Sequence, residues 1–147
     1  MAEKTAQKQS VTDKVKNAKP EDIKFIEKYA SQLSPSTLRA KWIHSTNEHE
    51  DRPGQSLATR SPEVIKHWAE ERQATPATVP GTEHGDHLGV LRFNFPGYGG
   101  RTLQEVNWDQ WLKTVQDRQL VCVFQEHKKN GDMSNFFRFD NPTREDA

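Results

Sequence analysis

Residues 61–141 alternate between helix-like and strand-like patterns, and this order constrains the fold more than any other feature of the chain. The stretch reads as a capped helix, two strands, a second capped helix and a hairpin, with large apolar residues spaced so that they share faces. Such an order predicts an α+β module. Because its tryptophans and phenylalanines are needed in a core, few large side chains remain to build a reaction centre.

Two helix starts are marked by residues that cap the first turn. Ser61 precedes Pro62, and Asn107 precedes an apolar stripe that includes Trp111. Hydroxyl and amide side chains accept hydrogen bonds from the unpaired N–H groups of a first helical turn, and proline suits the first helical position. We therefore expect one helix to begin at Pro62 and another at Trp108.

The strand-like segments are residues 77–79, 88–95, 120–124 and 136–139. The segment 88–95 alternates apolar and polar residues, which is typical of a half-buried strand, whereas 120–124 is apolar throughout and indicates a central strand. The dipeptide Asn130-Gly131 favours a type I′ hairpin turn. We expect one four-stranded, mostly antiparallel sheet with two helices on one face and an open polar face on the other.

The first part of the chain is less patterned. Residues 1–42 carry nine Lys or Arg and five Asp or Glu, a balance of +4, although the whole chain has 21 of each sign. Residues 1–19 have too few apolar groups to offset the entropy of ordering, so we expect a disordered basic tail. Residues 20–43 have apolar side chains at helical spacing and predict a short helical extension. A polar loop or linker over 44–60 and a C-terminal tail over 142–147 complete the expected organisation.

The single cysteine, Cys122, favours a reducing compartment because one thiol cannot form an internal disulfide. It lies in the apolar run 120–124, where a buried thiol acts as a small hydrophobic group rather than a nucleophile. That run falls well short of the ~20 apolar residues of a membrane helix. Residues 1–8 lack the apolar region of a secretory signal. We expect a cytoplasmic protein with no membrane association.

Two groups of histidines are weak candidates for metal ligation. His84 and His87 lie in a glycine-containing loop, and His44 and His49 lie among acidic residues. Imidazole and carboxylate groups bind zinc, but neither spacing matches an established zinc motif, and solvated polar loops explain both groups without a metal. The sequence contains no Gly-Lys-Ser/Thr phosphate loop and no Gly-x-Ser-x-Gly elbow. We therefore expect no cofactor and assign no catalytic residue.

The expected open sheet face supplies the candidate binding surface. With its adjoining loop it comprises Arg92, Asn94, Tyr98, Arg101 and Arg138. Guanidinium groups beside an aromatic ring suit either a protein partner or single-stranded nucleic acid, and the basic tail would add phosphate contacts. The alternative is that these residues are ordinary solvated sheet positions. A protein partner is the favoured prediction, because residues 43–147 are net acidic and carry no recognised nucleic-acid-binding motif.

Several short strings in the second half carry a resemblance: Trp68-Ala69-Glu70-Glu71-Arg72, Pro76-Ala77-Thr78-Val79, Gly89-Val90-Leu91-Arg92-Phe93, Phe95-Pro96-Gly97-Tyr98, Trp108-Asp109-Gln110-Trp111 and Ser134-Asn135-Phe136-Phe137. Over roughly residues 61–140 the chain is similar to a family of small uncharacterised bacterial proteins, some of which carry the label glucan-branching enzyme. The resemblance implies a bacterial source but no particular activity or site. Glucan-branching enzymes resemble a (β/α)₈ barrel of ~200 residues or more, for which 147 residues are too few.

The favoured function is that of a small non-enzymatic bacterial accessory or interaction protein. Single-stranded nucleic-acid binding is the first alternative, and a small hydrolase or metal-dependent enzyme is the second. A large exposed apolar patch would favour a protein partner, whereas a cleft with perturbed carboxylates or histidines would favour an enzyme.

Overall fold

The computed structural model describes residues 18–83, 88–97 and 102–143, and it confirms the α+β class. Within those ranges the helices are α1 Pro20–Tyr29, α2 Pro35–Arg39, α3 Pro62–Glu71 and α4 Trp108–Asp117, and the strands are β1 Lys41–Trp42, β2 Ser56–Thr59, β3 Thr75–Thr78, β4 Leu91–Asn94, β5 Gln104–Glu105, β6 Val121–Gln125 and β7 Phe137–Asp140. None of these helices is long and apolar enough to cross a bilayer. Most of the predicted tails, residues 1–17 and 144–147, lie outside the described residues.

Local signals place the helix starts of the second half where the sequence predicts them. The side chains of Ser61 and Asn107 accept hydrogen bonds from the backbone N–H three residues further on, at 3.4 and 2.8 Å. The hairpin between β6 and β7 is also present, but the predicted type I′ turn is wrong. Gly131 has a φ of +93° whereas Asn130 does not adopt a positive φ, and a type I′ turn needs positive values at both central residues.

The strands form two sheets rather than one. A four-stranded sheet has the order β1-β2-β6-β7, and a three-stranded antiparallel sheet has the order β4-β3-β5. In the first sheet β1 and β2 run parallel while the other neighbours run antiparallel, so the sheet is mixed. A four-stranded, mostly antiparallel sheet is therefore present as expected. However, β1 and β2 take the places that we predicted for β3 and β4.

The difference arises from β2, which lies within the segment predicted as a polar loop. Leu57 and Ala58 are fully buried, and the strand pairs with β6 over all four of its residues. Since two of those four residues are the polar Ser56 and Thr59, the pattern is too short to stand out from the surrounding loop. β2 occupies one side of β6 and β7 the other, while β3 and β4 pair with each other in a separate sheet.

Both broad faces of the four-stranded sheet are covered, so the expected open face is wrong for this sheet. On β6, Cys122 and Phe124 pack in a cluster with α3 and α4, whereas Val121 and Val123 pack in a second cluster with α1 and residues around α2. A strand that is apolar on both sides requires cover on both. The segment 20–43, predicted as an extension, supplies that second cover and is part of the core.

An aromatic cluster joins the two sheets. The ring centroids of Phe93 and Phe137, which lie on different sheets, are 4.7 Å apart, and those of Phe93 and Trp111 are 4.8 Å apart. Trp111 is fully buried, and its indole N–H donates to the carbonyls of Ala77 and Arg92, each at 3.2 Å. The prediction that the large aromatic side chains of the second half mostly face inward is confirmed.

Replacing Trp111 tests this role. We expect Trp111→Ala to lower the free energy of unfolding by ~3–5 kcal/mol, because a large buried ring is removed and two carbonyls lose a donor. Trp108→Ala is the matched control. Trp108 is only partly buried against the same cluster, so this variant should lower the free energy of unfolding by clearly less. Urea unfolding followed by circular dichroism measures both, and equal losses would contradict the packing described here.

Candidate functional site

A cleft of about 450 Å³ lies between strands β4 and β7, which are edge strands of the two sheets. We call it the inter-sheet cleft and define it by its lining: Val90, Leu91, Arg92, Arg118, Leu120, Phe137, Arg138, Phe139 and Asn141. Three consecutive residues therefore come from the β4 side and three from β7. The cleft exists because the aromatic cluster, and not a ladder of backbone hydrogen bonds, connects the sheets at this point.

The register of each ladder determines which backbone groups point away from the sheet. Gln125 N donates to Phe136 O at 3.2 Å, and because hydrogen-bonded pairs alternate along an antiparallel ladder, the N–H and C=O groups of Phe137 and Phe139 point away from β6. The same alternation directs the backbone groups of Leu91 and Phe93 away from β3. In the described part of the chain, no further strand pairs with either edge.

Three arginines give the inter-sheet cleft a positive charge. Two of them donate to backbone carbonyls: Arg92 donates to Leu91 O at 2.9 Å, and Arg118 donates to Gly89 O at 2.9 Å and to Leu88 O. Among the described residues that line the cleft there is no Asp or Glu, so the lining attracts anions.

The third arginine, Arg138, is held by helix α2. Its Nη2 donates to the hydroxyl oxygens of Ser34, Ser36 and Thr37 at 3.1, 2.6 and 2.8 Å. Two residues along β7, Asp140 Oδ2 accepts from Ser34 N at 2.9 Å and from Thr37 Oγ1 at 2.7 Å. One cation and one anion of the edge strand thus fasten the start of α2 to the sheet, and this directs the Arg138 guanidinium towards α2.

The expectation that the predicted binding residues share one open sheet face is corrected, although Arg92 and Arg138 both line the inter-sheet cleft. Arg92 and Asn94 share the strand β4, where Asn94 Nδ2 donates to Glu105 Oε1 at 3.4 Å, whereas Arg138 lies on the other sheet. The single face fails because β4 and β7 belong to different sheets. Two further residues of that predicted surface, Tyr98 and Arg101, lie outside the described residues.

Sequence reasoning missed Arg118, which lines the cleft from the C-terminal cap of α4. A basic residue at a helix C-terminus is commonly explained by the helix dipole. Its place beside β4 depends on how α4 packs between the sheets, and no local pattern reports that packing.

The described residues do not support the alternative of a metal centre. Residues 18–83, 88–97 and 102–143 contain no group of three His, Cys, Asp or Glu side chains placed to hold a metal ion, and the weak candidates His84 and His87 lie outside those ranges. Two His–Glu pairs are nevertheless present: His49 Nδ1 lies 2.8 Å from Glu126 Oε2, and His127 Nδ1 lies 2.6 Å from Glu50 Oε2. Since the pairs are reciprocal, they tie the loop after β1 to the end of β6.

The thiol of Cys122 has the structural role that the sequence predicts. The residue is 1% exposed, and burial raises the pKa of the thiol far above its ordinary value. A thiol that does not ionise is a poor nucleophile, so the residue serves packing.

Arg138→Met tests the fastening of α2. The variant loses the charge-assisted hydrogen bonds that the two N–H groups of Nη2 share among three hydroxyls, so we expect the free energy of unfolding to fall by ~1–3 kcal/mol and amide exchange in residues 34–39 to speed up. Arg39→Met, at an exposed position on the same helix, should change stability by about 0.5 kcal/mol or less. Similar losses in both variants would mean that Arg138 does not hold α2.

Comparison of the chain with protein-family models, with curated proteins and with solved structures finds no match. Any function of the inter-sheet cleft is therefore inferred from the geometry and charge of the cleft itself.

Proposed function

We propose that this chain is a non-catalytic bacterial interaction protein, with an accessory role, whose inter-sheet cleft binds an acidic, extended segment of a partner protein. One observation carries the proposal: two strand edges with outward-pointing backbone groups border one cleft, whose described lining includes three arginines and no carboxylate. The strand edges offer backbone hydrogen-bond donors and acceptors to the partner, and the arginines favour a partner of negative charge.

The charge of the lining selects the class of partner. Arginines bind carboxylates with planar, paired hydrogen bonds, and they are enriched at protein interfaces. In this cleft, Arg92 is exposed and Arg118 is partly buried and held by two backbone carbonyls, whereas the Arg138 guanidinium is turned towards α2. Pre-oriented cations lose less side-chain entropy when an anion binds, which favours an acidic partner over a neutral one.

The open edges select an extended conformation for the partner. A peptide that adds to a sheet edge gains backbone hydrogen bonds at every second residue, and Phe137 and Phe139 direct their N–H and C=O groups to that side of β7. Phe136, immediately before β7, is 44% exposed, and Met133 in the same connection is 52% exposed. A segment running along β7 therefore meets an apolar contact at the end of the strand as well as the arginines.

Single-stranded nucleic acid is the second candidate, because the same three arginines would attract phosphates. Base stacking, however, requires an open ring face. The rings of Phe137 and Phe139 are only partly exposed and pack on Phe93 and Trp111, with centroids 4.7 and 5.6 Å apart. This packing favours the peptide.

Catalysis at the inter-sheet cleft is disfavoured by its side chains. The described lining consists of apolar residues, arginines and Asn141, and it contains no nucleophile and no carboxylate or imidazole that could act as a general base. The chemistry that remains is recognition.

A binding experiment tests the proposal. Fluorescence anisotropy at low ionic strength compares a labelled peptide of alternating Glu and Val with a matched peptide of alternating Lys and Val and with oligothymidine. We expect the acidic peptide to bind at least about tenfold more tightly than the basic one. Arg92→Glu should weaken binding of the acidic peptide by about tenfold, which equals about 1.4 kcal/mol. An acidic peptide with alternate N-methylated residues should also bind more weakly, because it loses backbone donors.

Arg52→Glu is the matched control, since Arg52 is exposed and does not line the cleft; it should leave peptide binding within about twofold, in line with the small effect of distant surface charges. Preferential binding of oligothymidine would replace the proposed partner by nucleic acid. Equal binding of both peptides, or equal losses in Arg92→Glu and Arg52→Glu, would overturn the proposal.

A further inference from the structure

A second cavity, of about 430 Å³, lies where the parallel strands β1 and β2 end. His44 follows β1 after one residue and Arg60 directly follows β2, while Glu21 and Asp22 reach the cavity from the first turn of α1. Side chains beyond the carboxyl ends of parallel strands commonly form ligand sites. None of these residues lines the inter-sheet cleft, so the argument below is independent of the function proposed there.

Asp22 is the unusual residue of this cavity. It is 3% exposed, yet its carboxylate accepts no hydrogen bond from any residue in the described ranges. Its place at the start of α1 lets the helix dipole favour a negative charge, but the dipole supplies no donor. Among the described residues, the fully buried side-chain atom without a hydrogen-bond partner is Glu50 Oε1, so the Asp22 oxygens remain accessible from the cavity, while burial of the residue raises the pKa of Asp22. The chain therefore carries an acceptor that no described donor satisfies.

Arg60 presents the complementary group. Its guanidinium stacks on the ring of Phe25, with Cζ 3.8 Å from the ring centroid, and it donates no hydrogen bond to the residues that the structure describes. Arg60 and Asp22 line the same cavity and attract each other electrostatically, but no hydrogen bond joins the two side chains. One cavity thus holds an acceptor and a set of donors that are both available to a third molecule.

We propose that this cavity binds a small zwitterion that carries both an ammonium and a carboxylate group, as a free α-amino acid does. The ammonium donates to Asp22, and the carboxylate accepts from Arg60, whose planar group suits paired hydrogen bonds to a carboxylate. Glu21 and Glu63 also line the cavity and strengthen its attraction for the ammonium end. The volume lies within the usual ~300–1,000 Å³ of small-molecule sites.

Isothermal titration calorimetry with the common L-α-amino acids, one at a time, tests the site on the full chain. We expect at least one of them to bind, and its N-acetyl and decarboxylated derivatives, which lack one charge each, to bind about tenfold more weakly or worse. We also expect Asp22→Asn to lower the affinity for that amino acid by about tenfold. Asp109→Asn, at an exposed position on α4, should leave the affinity unchanged. Because the derivatives test the wild-type chain, the result does not depend on whether Arg60 variants fold.

Absence of binding by every amino acid would overturn the proposal. So would equal binding of a derivative that lacks one of the two charges, or a dissociation constant that Asp22→Asn leaves unchanged.

The pH dependence of unfolding provides an independent measurement. Burial raises the pKa of Asp22 above 3.8, with smaller lowering effects from His44 and Arg60 and smaller raising effects from Glu21 and Glu48. The folded state then holds this proton more tightly than the unfolded state, so stability falls as pH rises from the unfolded pKa to the folded pKa. We expect Asp22→Asn to raise the unfolding temperature at neutral pH, with the gain disappearing below pH 3.8. A lower unfolding temperature at neutral pH would mean that the carboxylate is satisfied within the protein, and the site would be lost.

Discussion

The burial of strand β6 on both faces is the constraint on which the rest of the structure depends. Its side chains alternate between two clusters, with Cys122 and Phe124 on one side of the sheet and Val121 and Val123 on the other. Because neither set can face water without a large loss of hydrophobic stabilisation, the chain must supply a layer on each side. Helices α3 and α4 form one layer, and the segment around α1 and α2 forms the other.

That requirement also explains why the second sheet is separate. Both neighbours of β6 are occupied, by β2 and β7, so β3 and β4 cannot pair directly with β6. They contact the first sheet through rings such as Phe93 and Phe137 instead. Side-chain packing holds sheets at a greater distance than backbone pairing does, and the inter-sheet cleft is the space that remains between the two edges.

The sequence predicts the elements of this fold better than their assembly. Caps such as Ser61 and Asn107, and the alternation along β4, are local signals that the structure confirms. Strand β2 has only Leu57 and Ala58 as apolar residues, and its burial depends on a partner far along the chain. The candidate sites show the same limit: Arg92 could be selected from the strand pattern, but Arg118 and Asp22 look like ordinary helix-end charges until packing brings them to a cavity.

The reciprocal His–Glu pairs have a consequence for how the long loop after β1 can sit. His49 and Glu50 are consecutive, and so are their partners Glu126 and His127. A slip of one residue in either direction would break both hydrogen bonds and place either His49 opposite His127 or Glu50 opposite Glu126. The two adjacent pairs therefore favour the observed alignment of the loop, and Glu50 N strengthens it by donating to Glu126 Oε1 at 2.7 Å.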